Sequence, residues 1–144
     1  MNPKSLFVAH FIGESNFLEG SIADLNGTDL EIELRGGAKV QAVGKGVSKG
    51  ERAILVIRPE IFVVERESSK KRNLLRGKVE KITFEGTFVR YVIRLESQDP
   101  AVVIKPSLTE KWFDVGESIA LSFSPEKVHV FPYPEAGLTE EISV

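Results

Sequence analysis

The feature that most constrains this chain is an internal repeat. Gly50-Glu51 precedes an apolar run from Ala53 to Ile57, and Pro59-Glu60 follows it before Ile61-Phe62-Val63-Val64. Gly116-Glu117 precedes Ile119 to Phe123, and Pro125-Glu126 follows before Val128-His129-Val130-Phe131. Nine residues separate the glycine from the proline in both copies. Each copy is also preceded by a glycine-containing strand, Gly20-Ser21-Ile22 in the first and Gly77-Lys78-Val79 in the second. Self-similarity on this scale fixes the building block of a fold before any motif is interpreted. The spacing predicts two related β units, 15–66 and 74–132, joined by a basic connector at 67–73. A helical segment over 1–14 precedes them and a flexible tail, 133–144, follows.

Hydrophobic periodicity supports strands inside both units. Leu30, Ile32 and Leu34 alternate with acidic residues, and Val89, Tyr91, Ile93 and Leu95 alternate with Arg90, Val92 and Arg94. Period two of this kind describes a half-buried strand. Ile119, Leu121 and Phe123 alternate with small polar residues, whereas Ala53 to Ile57 is apolar throughout, as in a strand covered on both faces. Between Val79 and Ile82 the apolar phase slips by one residue, which a β-bulge absorbs. Turn signals such as Asn26-Gly27, Glu85-Gly86 and Gln98-Asp99-Pro100 separate the runs. Many short strands with frequent turns predict an all-β barrel or sandwich. Two helical stretches are expected. One is short and N-terminal, begun by Asn2-Pro3, carrying Phe7, Val8, Phe11 and Ile12 on one face and stopped at Gly13. The other is a turn or two at Ser107 to Phe113.

Composition removes several function classes. Nineteen Lys and Arg stand against 21 Asp and Glu, a net charge of −2. Such a balance lacks the phosphate-neutralising surplus of a dedicated nucleic-acid binder. One local exception is the run from Arg66 to Lys81, with seven basic and two acidic residues. It contains no aromatic residue on which bases could stack, and reads as a solvated connector. Without cysteine there is no disulfide, thiolate nucleophile or cysteine-ligated zinc. His10 and His129 fall on different elements, and no acid or histidine cluster has the spacing of a metal site. The glycines from 44 to 50 lack the Gly-Lys-Ser/Thr ending of a phosphate loop. No catalytic residue, resident metal or cofactor is expected in this chain. The expected setting is cytoplasmic, since neither a signal peptide nor a run long enough to cross a membrane is present.

Beyond periodicity, particular residues carry a resemblance. Leu6-Phe7-Val8-Ala9, Phe11-Ile12-Gly13-Glu14 and Asn16-Phe17-Leu18-Glu19-Gly20 resemble the segment that follows the nucleotide-binding domain in ATPase subunits of ABC importers. Arg58-Pro59-Glu60 is similar to the Arg-Pro-Glu signature of their C-terminal regulatory domain, the transport-associated OB or TOBE domain. The resemblance continues through Gly77, Gly86, Gly116 and Pro125-Glu126, and is nearest to the spermidine/putrescine and iron(III) group. It implies an OB-like barrel arrangement built from the two units. It also implies a regulatory and dimerisation role, with the homodimer meeting through the barrels, and ATPase and permease subunits as partners on the inner membrane face. A small molecule or a protein would act as regulator. ATP and Mg are implied only for an ATPase domain, whose motifs these residues do not contain. Phe62, Phe88, Trp112 and Phe113 are the expected interface residues, and Arg58 and Glu60 are expected to make structural pairs. Two alternatives stand beside this reading: a small-ligand domain for an oxyanion such as molybdate, and an OB module for single-stranded nucleic acid.

Overall fold

A computed structural model describes residues 14–65, 73–108 and 112–134. The N-terminal helix, with Phe7, Phe11 and Gly13, lies outside these residues. Among the described residues there are ten strands. The first five are β1 (Asn16–Asn26), β2 (Asp29–Leu34), β3 (Lys39–Val43), β4 (Arg52–Ile57) and β5 (Val63–Glu65). The second five are β6 (Leu75–Glu85), β7 (Phe88–Leu95), β8 (Pro100–Pro106), β9 (Ser118–Ser122) and β10 (His129–Pro132), with a 3-10 turn at Pro125–Lys127 before β10.

The strands form two antiparallel five-stranded sheets, in the orders β10-β4-β1-β2-β3 and β5-β9-β6-β7-β8. Replacing each strand of one sheet by its counterpart in the other repeat reproduces the second order, so the sequence repeat is a structural one. Two compact units result, one of residues 1–58 with 124–144 and the other of residues 59–123. Each therefore owes its outermost strand to the other repeat. β5, from the first repeat, completes the second sheet, and β10, from the second, completes the first.

Within the first unit, β3 lies against the 3-10 turn and against β10, so the sheet curls towards closure as an OB-like barrel. Within the second, the Ile104 amide of β8 donates to the Pro59 carbonyl at 3.2 Å, drawing the segment ahead of β5 against the far edge. The core of each unit comes from alternate residues: Leu30, Ile32 and Leu34 in one, Val89, Tyr91, Ile93 and Leu95 in the other. β4 is buried on both faces, as its continuous apolar run predicts, because Phe17, Phe131 and Tyr133 pack over Ile54 and Val56. β9 departs from the alternation expected of it. Ala120 and Ser122 are buried along with Ile119 and Leu121, because β9 is the central counterpart of β4 and its second face carries only small side chains.

The expected bulge lies between Val79 and Lys81 of β6, and an unanticipated twin lies between Ile22 and Asp24 of β1. The same backbone bonds brace both. Ile22 exchanges bonds with Glu51 and Gly50 (2.9 and 2.8 Å), and Val79 with Glu117 and Gly116 (3.0 and 2.7 Å). Both long hairpins turn on Gly-Thr, with Gly27 at φ 62° and Gly86 at φ 70°. This is the left-handed first position that a type II′ hairpin reserves for glycine. Two local expectations need correction. Ser107, Leu108, Trp112 and Phe113 are not helical, the first two being bend residues just past the edge strand β8, and residues 109–111 of the expected helical stretch lie outside the described residues. The basic run is loop only in part: Arg76, Lys78 and Lys81 stand on β6.

Candidate functional site

The repeat places three kinds of feature twice: a chain crossing, a strand cleft and a loop over the barrel mouth. At the crossings the chain leaves one unit for the other after Arg58 and again after Phe123. A buried asparagine marks each. Asn16 Nδ2 donates to the Ile57 carbonyl, and Asn73 Nδ2 to the Phe123 carbonyl, both at 3.2 Å. Asn73 adopts φ 57°, a conformation asparagine tolerates better than most residues. Sequence reasoning selected Asn16 but missed Asn73, whose signal was its position relative to Gly77, the same four-residue step as Asn16 to Gly20. In the Arg58-Pro59-Glu60 segment, Pro59 is buried, Arg58 is half-buried and Glu60 is exposed. Pro59 gives its carbonyl to β8, and beyond it Phe62 gives its carbonyl to Lys105 Nζ. Burial holds the Lys105 ammonium below the usual lysine pKa. These contacts make the Pro59-to-Phe62 segment a structural clip. Pro125 and Glu126 form the corresponding 3-10 turn in the other unit.

Phe62 is not a surface residue. It is completely buried, edge-on to Phe123 with 6.1 Å between ring centroids, because the crossing carries it into the core of the second unit. Phe88 and Phe113 are half-buried and Trp112 is exposed. Trp112 packs edge-on against Phe84, centroids 5.1 Å apart, and its indole N–H donates to the Ser107 carbonyl at 3.2 Å. Phe113 packs on Tyr91 at 5.8 Å. The loop between β8 and β9 thus lays an aromatic quartet across the mouth of the second barrel. Phe84 and Trp112 remain more than half exposed there. In the first unit, Leu25 and Ile32 stand at the register positions of Phe84 and Tyr91.

Gly20 and Gly77 underlie a pair of clefts of about 490 and 440 Å³. A side chain is excluded at both. A Cβ would lie 2.6 Å from the Glu33 carbonyl oxygen at position 20 and 2.5 Å from that of Arg94 at position 77. The linings differ. In the second unit, Arg94 grips Glu80 in bidentate fashion, at 2.6 Å (Nε–Oε2) and 3.0 Å (Nη2–Oε1), and donates Nη1 to the Gln98 carbonyl at 2.8 Å. The Arg94 hydrogen bond holds the Glu80 carboxyl below the usual carboxylate range. In the first unit the bulge carries Ala23 in place of Glu80, and Glu33 stands where Arg94 does. That cleft is lined instead by Arg35, Arg52, Ser21 and the Gly36-Gly37 turn, together with Glu19 and Glu33. Tyr133 supports the Arg52 guanidinium from behind, its ring centroid 3.9 Å away.

Among the described residues no group of three or more His, Asp or Glu is placed to hold a metal. His129 is exposed and stacked on Phe131 rather than enclosed in the core. No helix among these residues is long and apolar enough to cross a membrane.

Comparison with known proteins agrees with this architecture. Residues 55–131 match the TOBE domain. The spermidine/putrescine import ATP-binding protein PotA of Pseudomonas aeruginosa is 29% identical over 134 residues, covering 89% of this chain and 37% of that protein. PotA of Clostridioides difficile is 33% identical over 129 residues, covering 89% and 33%. The Fe(3+) ions import ATP-binding protein FbpC of Fusobacterium nucleatum is 29% identical over 129 residues, covering 90% and 33%. This chain therefore spans about a third of the length of these curated relatives. Its fold is shared with a molybdate-bound crystal form of the cytoplasmic molybdate-binding protein ModG. The TM-score is 0.71 at 18% identity, with 80% of this chain and 94% of that chain covered. With more than half of its length matched to the family and its repeat built into two OB-like units, this chain belongs to the TOBE domain family.

Proposed function

We propose that this chain is the regulatory and self-associating part of the ATP-binding subunit of an ABC importer for polyamines or a related solute. The carrying observation is the alignment of nine-tenths of the chain with about a third of several import ATP-binding proteins. The ATP-hydrolysing domain and the membrane permease are the partners this reading supplies, and the inner face of the membrane is its location. Self-association draws on Phe88, Phe113 and the half-exposed Trp112, with Phe62 removed from the set by its burial. A fixed aromatic surface loses little conformational freedom on binding, which suits a reversible contact. Sequencing the source gene upstream of the Met1 codon tests the importer reading. A frame continuing into a phosphate-loop ATPase supports it, and a genuine start codon there removes it. Sedimentation at high micromolar concentration tests the association, and a purely monomeric boundary counts against it.

A second reading, capture of a small oxyanion, draws on the first-unit cleft with its two arginines and its Gly-Gly turn. It ranks below the first because Glu19 and Glu33 offset the two guanidiniums in the same cleft. Titration calorimetry with molybdate and sulfate decides it, and the absence of heat at millimolar anion removes it.

A further inference from the structure

Register sets opposite charges on either side of a gap in the first unit. Ser21 of β1 pairs with Arg52 of β4 on one side and with Glu33 of β2 on the other. Residues directly opposite share one face of a sheet, and all three line the cleft of about 490 Å³ beside Gly20. In the neighbouring row the Arg35 amide donates to the Glu19 carbonyl at 3.0 Å, so residues of opposite charge are level on adjacent strands. Arg52 and Glu33 differ from that pair, standing two strands apart with a serine between them. Lys39 of β3 faces Glu33 from the far side and does not line the cleft.

The second repeat shows that these charges are not a requirement of folding. Its matching row is Ser118, Lys78 and Arg94. Serine stands in place of Arg52, a lysine fills the middle position, and Arg94 replaces Glu33 and is already held by Glu80. Arg76 and Glu96 stand where Glu19 and Arg35 do, joined by the same backbone bond at 2.9 Å with the charges reversed. One backbone thus tolerates both signs, and the first unit alone of the two has a cation, a small hydroxyl and an anion in sequence across its strands.

We propose that the first-unit cleft binds a zwitterion, a free α-amino acid, with its carboxylate on Arg52 and its ammonium on Glu33. Strand side chains stand roughly perpendicular to the sheet, so two inter-strand steps hold the two charged ends about 9.6 Å apart. Charge-assisted contacts of about 2.8 Å at each end leave about 4 Å between the ligand's own charged atoms. That gap matches an α-amino acid. An oxyanion offers nothing to Glu33, and a diamine offers nothing to Arg52. Ser21 lies between the two ends, and its hydroxyl both donates and accepts, so it suits either group. Tyr133 backs the Arg52 guanidinium, which therefore loses little freedom on binding. The Gly36-Gly37 turn brings no side chain to the cleft, so the ligand's own side chain is unobstructed and the site reads the amino-acid backbone.

Amide chemical shifts of the full chain, titrated with L-alanine, propionate and ethylamine, test this. L-Alanine should move the amides of Ser21, Gly36 and Gly37 saturably at millimolar concentration and leave those of Lys78 and Arg94 in place. Propionate and ethylamine each lack one charge and should bind about tenfold more weakly or worse. Arg52→Gln and Glu33→Gln, both at exposed positions, should each weaken L-alanine by a similar factor. No saturable shift by about 50 mM L-alanine overturns the proposal. Propionate binding as well as L-alanine, or affinity surviving in both variants, overturns it too. A response to sulfate or molybdate without one to L-alanine also overturns it and returns the cleft to the oxyanion reading. None of these outcomes bears on the importer reading, which the upstream gene sequence settles separately.

Discussion

Gly77→Ala tests the closest approach in the fold. Gly77 lies on β6 between β7 and β9, opposite Leu95 and Ile119, and its φ is outside the left-handed range. If there were room, alanine would stabilise the protein by about 0.4–1 kcal/mol, by restricting the unfolded chain. There is no room. The new methyl would stand 2.5 Å from the Arg94 carbonyl oxygen, 3.1 Å from its carbon and 2.9 Å from Ile93 Cγ2, where ordinary contact begins at 3.4 Å. Ile93 can yield by a rotamer change, but a strand carbonyl in a ladder cannot, so β7 must move away from β6. Overpacking of this kind costs about 1–3 kcal/mol, which leaves a net loss of about 1–2 kcal/mol after the unfolded-state gain. At roughly 4 °C per kcal/mol for a chain of this length, the thermal midpoint falls by about 4–8 °C. Thermal and urea unfolding followed by far-UV circular dichroism measure it. Gly20→Ala is the internal control, because its Cβ meets the Glu33 carbonyl at 2.6 Å and Ile32 Cγ2 at 2.9 Å, and it should lose a similar amount. A Gly77→Ala protein as stable as the parent, or more so, refutes the close approach and with it the shared origin of the two clefts.

Two further outcomes follow from the crossings and the second cleft. Asn73→Ala removes a buried donor from the Phe123 carbonyl and places alanine at φ 57°, so a loss of about 1–3 kcal/mol in urea unfolding is expected. Asn73→Gly relieves the backbone but not the lost bond, and should recover only part; full recovery would show that the side-chain bond contributes nothing. Glu80 has a folded pKa held below its usual value by Arg94. Its contribution is therefore present above the unfolded carboxylate pKa and lost as pH falls through the folded one. Glu80→Gln should lower the unfolding midpoint on the neutral side and converge with the parent in acid below about pH 4, so that its acid limb is flatter, an effect that shrinks in high salt. Identical acid limbs in parent and variant would show that the pair does not form in solution.

How much of this was legible in the sequence depended on whether the determining force was local. Alternation in residues 30–34 and 89–95 was readable because one face of each strand meets the core and the other meets water. The bulge at Glu80 was readable because the apolar phase slips there. Its twin at Ala23 shows the same three-residue apolar step, from Ile22 to Leu25, but Leu25 stands alone before the Asn26-Gly27 turn, so no new alternation follows to mark the slip. The exchange of β5 and β10 left no local trace. A short apolar strand has the same pattern whichever sheet it joins, and only long-range register distinguishes the choices. Phe62 was misplaced for that reason. As part of a continuous first unit it looked available for a surface, yet the crossing at Pro59 sends it into the core of the second. Asn73 was hidden by the basic run in which it is embedded, where charge suggested solvent and the buried amide was overlooked.

The two repeats also separate what the backbone demands from what a site can use. Gly20 and Gly77, Asn16 and Asn73, and the Gly-Thr turns occupy matching places because sterics and buried hydrogen bonds leave little choice. Pro59 and Pro125 belong with them, since both sit where the chain crosses between units. Most of the motif residues therefore account for why the chain folds as two exchanged barrels, and they do not by themselves select a ligand. Selection has to come from matched positions where the side chains diverge. Glu80 and Arg94 satisfy each other in the second cleft, so a ligand there would have to break a bidentate pair before gaining any contact of its own. Ala23 and Glu33 at the same places leave the first cleft without that pair, with Arg52 already braced on Tyr133. At the barrel mouths the divergence runs the other way, with aromatic rings in the second unit and aliphatic side chains in the first. On a duplicated scaffold, chemistry is thus expected where symmetry is broken: at the open cleft of the first unit for small polar solutes, and at the Phe84–Trp112 mouth of the second for protein contacts.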